Sequence, residues 1–102
     1  MKQLIDYLLK NESTKKSLIV ALELKNDCLY SADDLKEHDQ SIDRKSAQKC
    51  LKTLEKLGMA EYYSSDYSSK CYYLDSNHKN KEEVIRYLET RGIKIKPKNS
   101  LS

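Results

Sequence analysis

Apolar residues return every three or four positions in four stretches of the chain, the spacing of one helix face. Leu4, Ile5, Leu8 and Leu9 form the first, predicting an amphipathic helix of about ten residues that ends in the polar run Asn11-Glu12-Ser13-Thr14. Ser13 or Thr14 is placed to cap a second helix, whose Leu18, Ile19, Val20, Ala21, Leu22 and Leu24 cover most of its circumference and predict a central position. Cys28-Leu29-Tyr30 is too short for a helix and reads as a brief extended segment. Ser31-Ala32-Asp33-Asp34 then has the form of a capping box opening a short helix with Leu35 facing inward. Asp43 is a natural N-cap for the next helix, over 43–57, where Ala47, Cys50, Leu51, Leu54 and Leu57 hold one face until Gly58, a residue suited to a left-handed C-terminal cap. Two tyrosine-rich segments, 59–64 and 70–74, flank the polar run 64–69 and predict a hairpin, with Tyr72 and Leu74 on one face and Cys71 and Tyr73 on the other. Asn80-Lys81-Glu82-Glu83 opens a last helix bearing Val84, Ile85 and Leu88 and closed by Gly92. Ile93 to Pro97 alternates, and a polar tail from 96 to 102 is expected to fray.

Composition narrows the class. The chain has 102 residues, 38% hydrophobic and 34% charged, with two Gly, one Pro, no Phe and no Trp. That length fits one domain, and so few turn residues exclude an all-β sandwich of many tight hairpins. A mainly α fold with a small β-hairpin (α+β) is expected. The longest uncharged apolar run, Leu18 to Leu22, is far below the roughly 20 residues of a bilayer span, and the N-terminus lacks a signal-peptide pattern. An intracellular setting, cytoplasm or nucleus, is therefore expected. Cys28, Cys50 and Cys71 are odd in number and include no Cys-x-x-Cys, so they read as small core residues, with no disulfide framework and no metal clip.

The segment Ser46-Ala47-Gln48-Lys49-Cys50-Leu51-Lys52-Thr53-Leu54-Glu55-Lys56-Leu57-Gly58-Met59-Ala60 resembles the recognition helix of a winged helix-turn-helix domain and its entry into the wing. Ala47, Leu51, Leu54, Gly58, Met59 and Ala60 carry the resemblance. It implies a core over 14–74 within a single extended winged-helix domain, 1–102, with accessory helices at about 1–10 and 80–91. Ile42-Asp43-Arg44-Lys45-Ser46 is similar, more narrowly, to the winged helix in the largest subunit of the RNA polymerase III transcription factor that binds the internal B-block promoter. Both resemblances imply DNA binding in transcription.

At 100° per residue, Lys45, Lys49, Lys52 and Lys56 form one stripe opposite the core face, with Gln48 beside it and Arg44 at its edge. A helix in the major groove needs such a face, because ammonium groups neutralise phosphates while Gln48 and Arg44 offer donors to base edges. A solvated amphipathic face also carries lysine, so the stripe alone leaves that alternative open. Residues 41–58 hold five basic and two acidic side chains, and 79–102 hold seven and three, whereas 1–40 and 59–78 are each net acidic by two. Basic charge thus gathers on the predicted recognition helix and at the C-terminal end. The wing carries Asp66 at its tip with Lys70 nearby, and Ser65 and Tyr67 could donate to phosphates.

The predicted DNA-binding set is accordingly Arg44, Lys45, Gln48, Lys49, Lys52, Lys56, Ser65, Tyr67 and Lys70, on double-stranded DNA. The alternative is a protein-binding winged helix inside a transcription complex, docking through the tyrosine-rich wing or the terminal helices. The stripes Leu4-Ile5-Leu8-Leu9 and Val84-Ile85-Leu88 can cover the central helix or pair two chains as a homodimer. His38 and His78 sit beside no interpretable nucleophile, and two glycines make no phosphate-binding loop, so neither an enzyme nor a cofactor is expected. Tyr62, Tyr63, Tyr72 and Tyr73 are expected to pack across strands, and the acid pairs Asp33-Asp34 and Glu82-Glu83 to sit at helix starts.

Overall fold

The computed structural model describes residues 2–24, 28–63, 70–74 and 79–96. Element order is α1 (Lys2–Leu9), α2 (Glu12–Glu23), β1 (Cys28–Ser31), α3 (Ala32–His38), α4 (Arg44–Lys56), β2 (Ala60–Tyr63), β3 (Cys71–Leu74) and α5 (Lys79–Thr90). This is a winged helix: α2, α3 and α4 form the helical part, and an antiparallel sheet of order β1-β3-β2 forms the wing. The extended segment at Cys28 is the third strand of that sheet, pairing Cys28 with Leu74 and Ser31 with Cys71, so the wing is one strand wider than a hairpin.

Local chemistry explains most boundaries. The cap of α2 is Asn11, not Ser13 or Thr14: its side-chain oxygen accepts the Ser13 N–H at 2.8 Å, starting the helix at Glu12. Thr14 instead donates its hydroxyl to the carbonyls of Leu8 and Asn11, closing the α1–α2 turn. Ser31 and Asp34 form the reciprocal capping box, with the Ser31 N–H donating to Asp34 at 2.7 Å. Gly58 and Gly92, at φ +75° and +80°, end α4 and α5 with paired bonds of the Schellman type. Met59 N–H reaches the Leu54 carbonyl at 2.9 Å, and Ile93 N–H the Leu88 carbonyl at 3.0 Å.

One core joins all five helices of the described residues to β2 and β3. Leu18, Leu22, Leu35, Ile42, Leu51 and Leu54 are fully buried at its centre, and each such side chain stabilises the fold by about 1.5–3 kcal/mol. Ile5 and Leu8 of α1 and Val84 and Leu88 of α5 are equally buried, so the terminal stripes cover the chain's own core. Asp6 joins those two helices, accepting from the Tyr87 hydroxyl and the Arg91 guanidinium, each at 2.6 Å. These bonds hold the Asp6 carboxyl below its ordinary range, the Tyr87 hydroxyl being the larger cause. Lys96, where the polar tail was expected to begin, donates its N–H to Glu23 at 3.0 Å; residues 97–102 lie outside the described set.

The cysteine reading needs one correction. Cys50 is a core residue, but Cys28 and Cys71 are half-buried: Cys71 lies on the sheet face that no helix covers, and Cys28, opposite Leu74 on the core face, sits on the edge strand β1. The tyrosines do pack across strands, with Tyr62 on Tyr72 at 5.3 Å and Tyr63 edge-on to Tyr73 at 6.2 Å between ring centres.

Candidate nucleic-acid interface

The candidate surface is built on α4. Asp43 caps it by accepting the Ser46 N–H at 2.8 Å and the Ser46 hydroxyl at 3.0 Å, and these two bonds lower the Asp43 pKa. Its own N–H donates to the Ser13 hydroxyl at 2.9 Å, tying the start of α4 to α2. Ile42 is fully buried immediately before the cap. At the other end, Asn80 of α5 donates to the Leu57 carbonyl at 2.6 Å, giving a freed helix-end oxygen a partner. Ala47, Cys50, Leu51 and Leu54 are buried between these anchors, and complete burial pushes the Cys50 thiol far up. With that face fixed inward, helical geometry turns the opposite one to solvent.

Lys45, Lys49, Lys52 and Lys56 are exposed on that outer face, and no ion pair engages them among the described residues. Gln48 is half-buried beside them. Arg44 differs: its guanidinium lies 3.7 Å from Asp33 of α3, with both side chains more than half exposed. Such a pair contributes about 1 kcal/mol at most and weakens with salt. The turn into α4 is held by Asp39, which accepts from the Ser41 N–H and hydroxyl, while Lys16 donates to that hydroxyl at 3.0 Å.

A groove of about 200 Å³ runs between α4 and the wing. Lys45, Gln48, Lys49 and Lys52 line its helix side, Lys70 its strand side, and Leu51 and Tyr72 its floor. The structure therefore brings five members of the predicted set together and leaves Arg44 and Lys56 outside the groove. Ser65 and Tyr67 lie outside the described residues, as do His78 and the 64–69 run. Tyr72 and Leu51 were missed as groove residues because their periodicity marks them only as core. A wider hollow of about 500 Å³ opens among Asp6, Leu9, Lys10, Lys15, Arg91 and Ile93, where Asp6 and Arg91 already satisfy each other. It is remote in sequence from α4 and adds nothing to that surface.

His38 is exposed in the last turn of α3. Among the described residues no cluster of His, Cys, Asp or Glu could hold a metal, and no helix is long and apolar enough to cross a membrane. No protein-family model matches the chain, and no curated protein matches it. Among solved structures it is similar to reduced HlyU from Vibrio cholerae N16961, at 17% identity and a TM-score of 0.47, over 87% of this chain and 82% of that one.

Proposed function

We propose that this chain is a duplex-DNA-binding winged helix serving transcription inside the cell, with α4 in the major groove and affinity drawn mainly from phosphates. The observation that carries the reading is the exposed stripe Lys45, Lys49, Lys52 and Lys56, which no ion pair engages among the described residues, on a helix whose other face is locked into the core. Lysine is a compact, hydrated point charge, which suits phosphate neutralisation better than planar base recognition. Gln48 offers donors to base edges, Lys45, Lys49 and Lys52 face the duplex and neutralise its phosphates, Lys56 lies nearer the backbone, and Lys70 extends the cationic surface onto the wing. Arg44 joins when a phosphate displaces Asp33, an exchange that the weak surface pair permits. Ser65 and Tyr67 supply phosphate donors from the wing in this reading.

Fluorescence anisotropy on a labelled duplex of arbitrary sequence at low salt tests it. The native chain is expected to bind with micromolar affinity or better, and the Lys49→Glu/Lys52→Glu variant to lose binding while keeping its helical circular dichroism. Unchanged binding by that folded variant refutes the assignment.

A second reading rests on the uncovered sheet face, where Leu29 and Tyr63 stand about half exposed and Tyr73 half-buried. Aromatic and aliphatic groups of this kind suit a protein partner within a larger transcription assembly. On that reading the same titration shows no duplex binding at micromolar protein.

A further inference from the structure

The cationic rim of the α4–wing groove suits phosphates, but its floor does not. Leu51 is fully buried and Tyr72 almost so, and both still border the cavity, while the lysine stems add methylene walls. Among the described residues no carboxylate lines the groove, the Glu55 charge being felt only behind its floor at Tyr72, so four lysines, Lys45, Lys49, Lys52 and Lys70, border one small apolar hollow. Its volume of about 200 Å³ is below the roughly 300–1,000 Å³ of drug-sized ligand sites, which limits an occupant to one or two rings. A flat apolar body with one anionic group matches both halves of the site, the ring lying between the lysine stems against the edge of Tyr72, above the buried Leu51, and the anion among the ammonium groups.

We propose that this groove is a binding site for a small aromatic anion of the sulfonate or carboxylate class. Because Lys49 and Lys52 then engage the ligand instead of phosphates, occupancy opposes duplex binding. That consequence, unlike the ligand site itself, rests on the function proposed above.

The probe is naphthalene-1-sulfonate, followed by the NMR signals of the Leu51 methyl groups and the Gln48 side-chain amide in the intact chain. Sodium sulfate supplies the charge without the ring, and 1-naphthylmethanol the ring without the charge. The expected result is saturable one-to-one binding of the sulfonate that moves these signals, with both control compounds at least about tenfold weaker. Two surface ion pairs together account for such a factor. Lys49→Ala/Lys52→Ala should weaken the sulfonate by a similar factor while the Leu18 methyl signals, remote in the core, stay in place. Equal effects of sulfate, which mean an adventitious ion only, equal binding of the neutral alcohol, or shifts centred on other residues each overturn the proposal. A labelled duplex titrated into sulfonate-free chain separates the two claims: a chain that takes the sulfonate in one sample but no duplex in the other refutes the DNA reading and leaves the ligand site standing.

Discussion

Replacing Leu88 by Ala tests whether the terminal helices complete a single chain's core. Leu88 is fully buried on α5, in the same cluster as Ile5 and Leu8 of α1. Truncation removes three carbons, about 2.4 kcal/mol by transfer at about 0.8 each, and the cavity left behind raises the loss to about 2–5 kcal/mol. Unfolding entropy of about 2.1 cal/mol/K per residue gives this 102-residue chain about 0.2 kcal/mol/K, so Tm should fall by about 10–25 °C. Circular dichroism melts at two protein concentrations a hundredfold apart supply the decisive control. A core completed within one chain melts at the same temperature in both, whereas a core shared between chains loses several degrees on dilution by mass action. A concentration-dependent native Tm, or an Ala variant within about 2 °C of native, refutes the assignment of α1 and α5 to their own chain's core.

Thiol labelling should modify Cys28 and Cys71 in the native protein and Cys50 only in denaturant, because complete burial keeps the last protonated and inaccessible; mass spectrometry counts the adducts. Burial, followed by the neighbouring Cys28 thiol, raises the Tyr30 pKa to about 12 from an ordinary value near 10. The folded chain therefore holds this proton more tightly than the unfolded one, and the stability contribution present below pH 10 is lost as pH rises from about 10 to about 12. Denaturant titrations across that window should show the loss, and Tyr30→Phe should flatten it. Gly92→Ala meets no atom within 4 Å of the added carbon, so only its φ of +80° opposes the change. Thermal melts should report a loss of about 1–2 kcal/mol.

Helix α4 was legible because everything that defines it is local. Its cap at Asp43, the apolar spacing from Ala47 to Leu57 and the terminating glycine lie within one stretch, and all appear as read. Pairing of β1 was not legible, since Cys28 meets Leu74 across nearly half of the chain and three residues carry no signal of that distant register. The α2 cap was misplaced because three of four consecutive polar residues qualify, and the choice fell to Asn11 once Thr14 turned to the Leu8 carbonyl. At the candidate surface, sequence placed the four lysines on one face, yet the Asp33 partner of Arg44 sits on another helix, beyond the reach of a helical wheel. Ile42, Asp43 and Ser46, part of the narrower resemblance, have local duties here: one fills the core and two close the helix start. The groove floor was hidden for a similar reason, because a core residue and a groove residue have the same periodicity when one side chain serves as both.

The central claim is that the outer face of α4 neutralises duplex phosphates, and the salt dependence of binding measures this directly. Four lysine contacts give a slope of about −3.6 in log affinity against log salt, or roughly a hundredfold loss between 50 and 200 mM. Replacing Lys49 and Lys52 by Ala should bring that slope to about −1.8. A slope near zero for the native chain, or one unmoved by the double substitution, contradicts the claim.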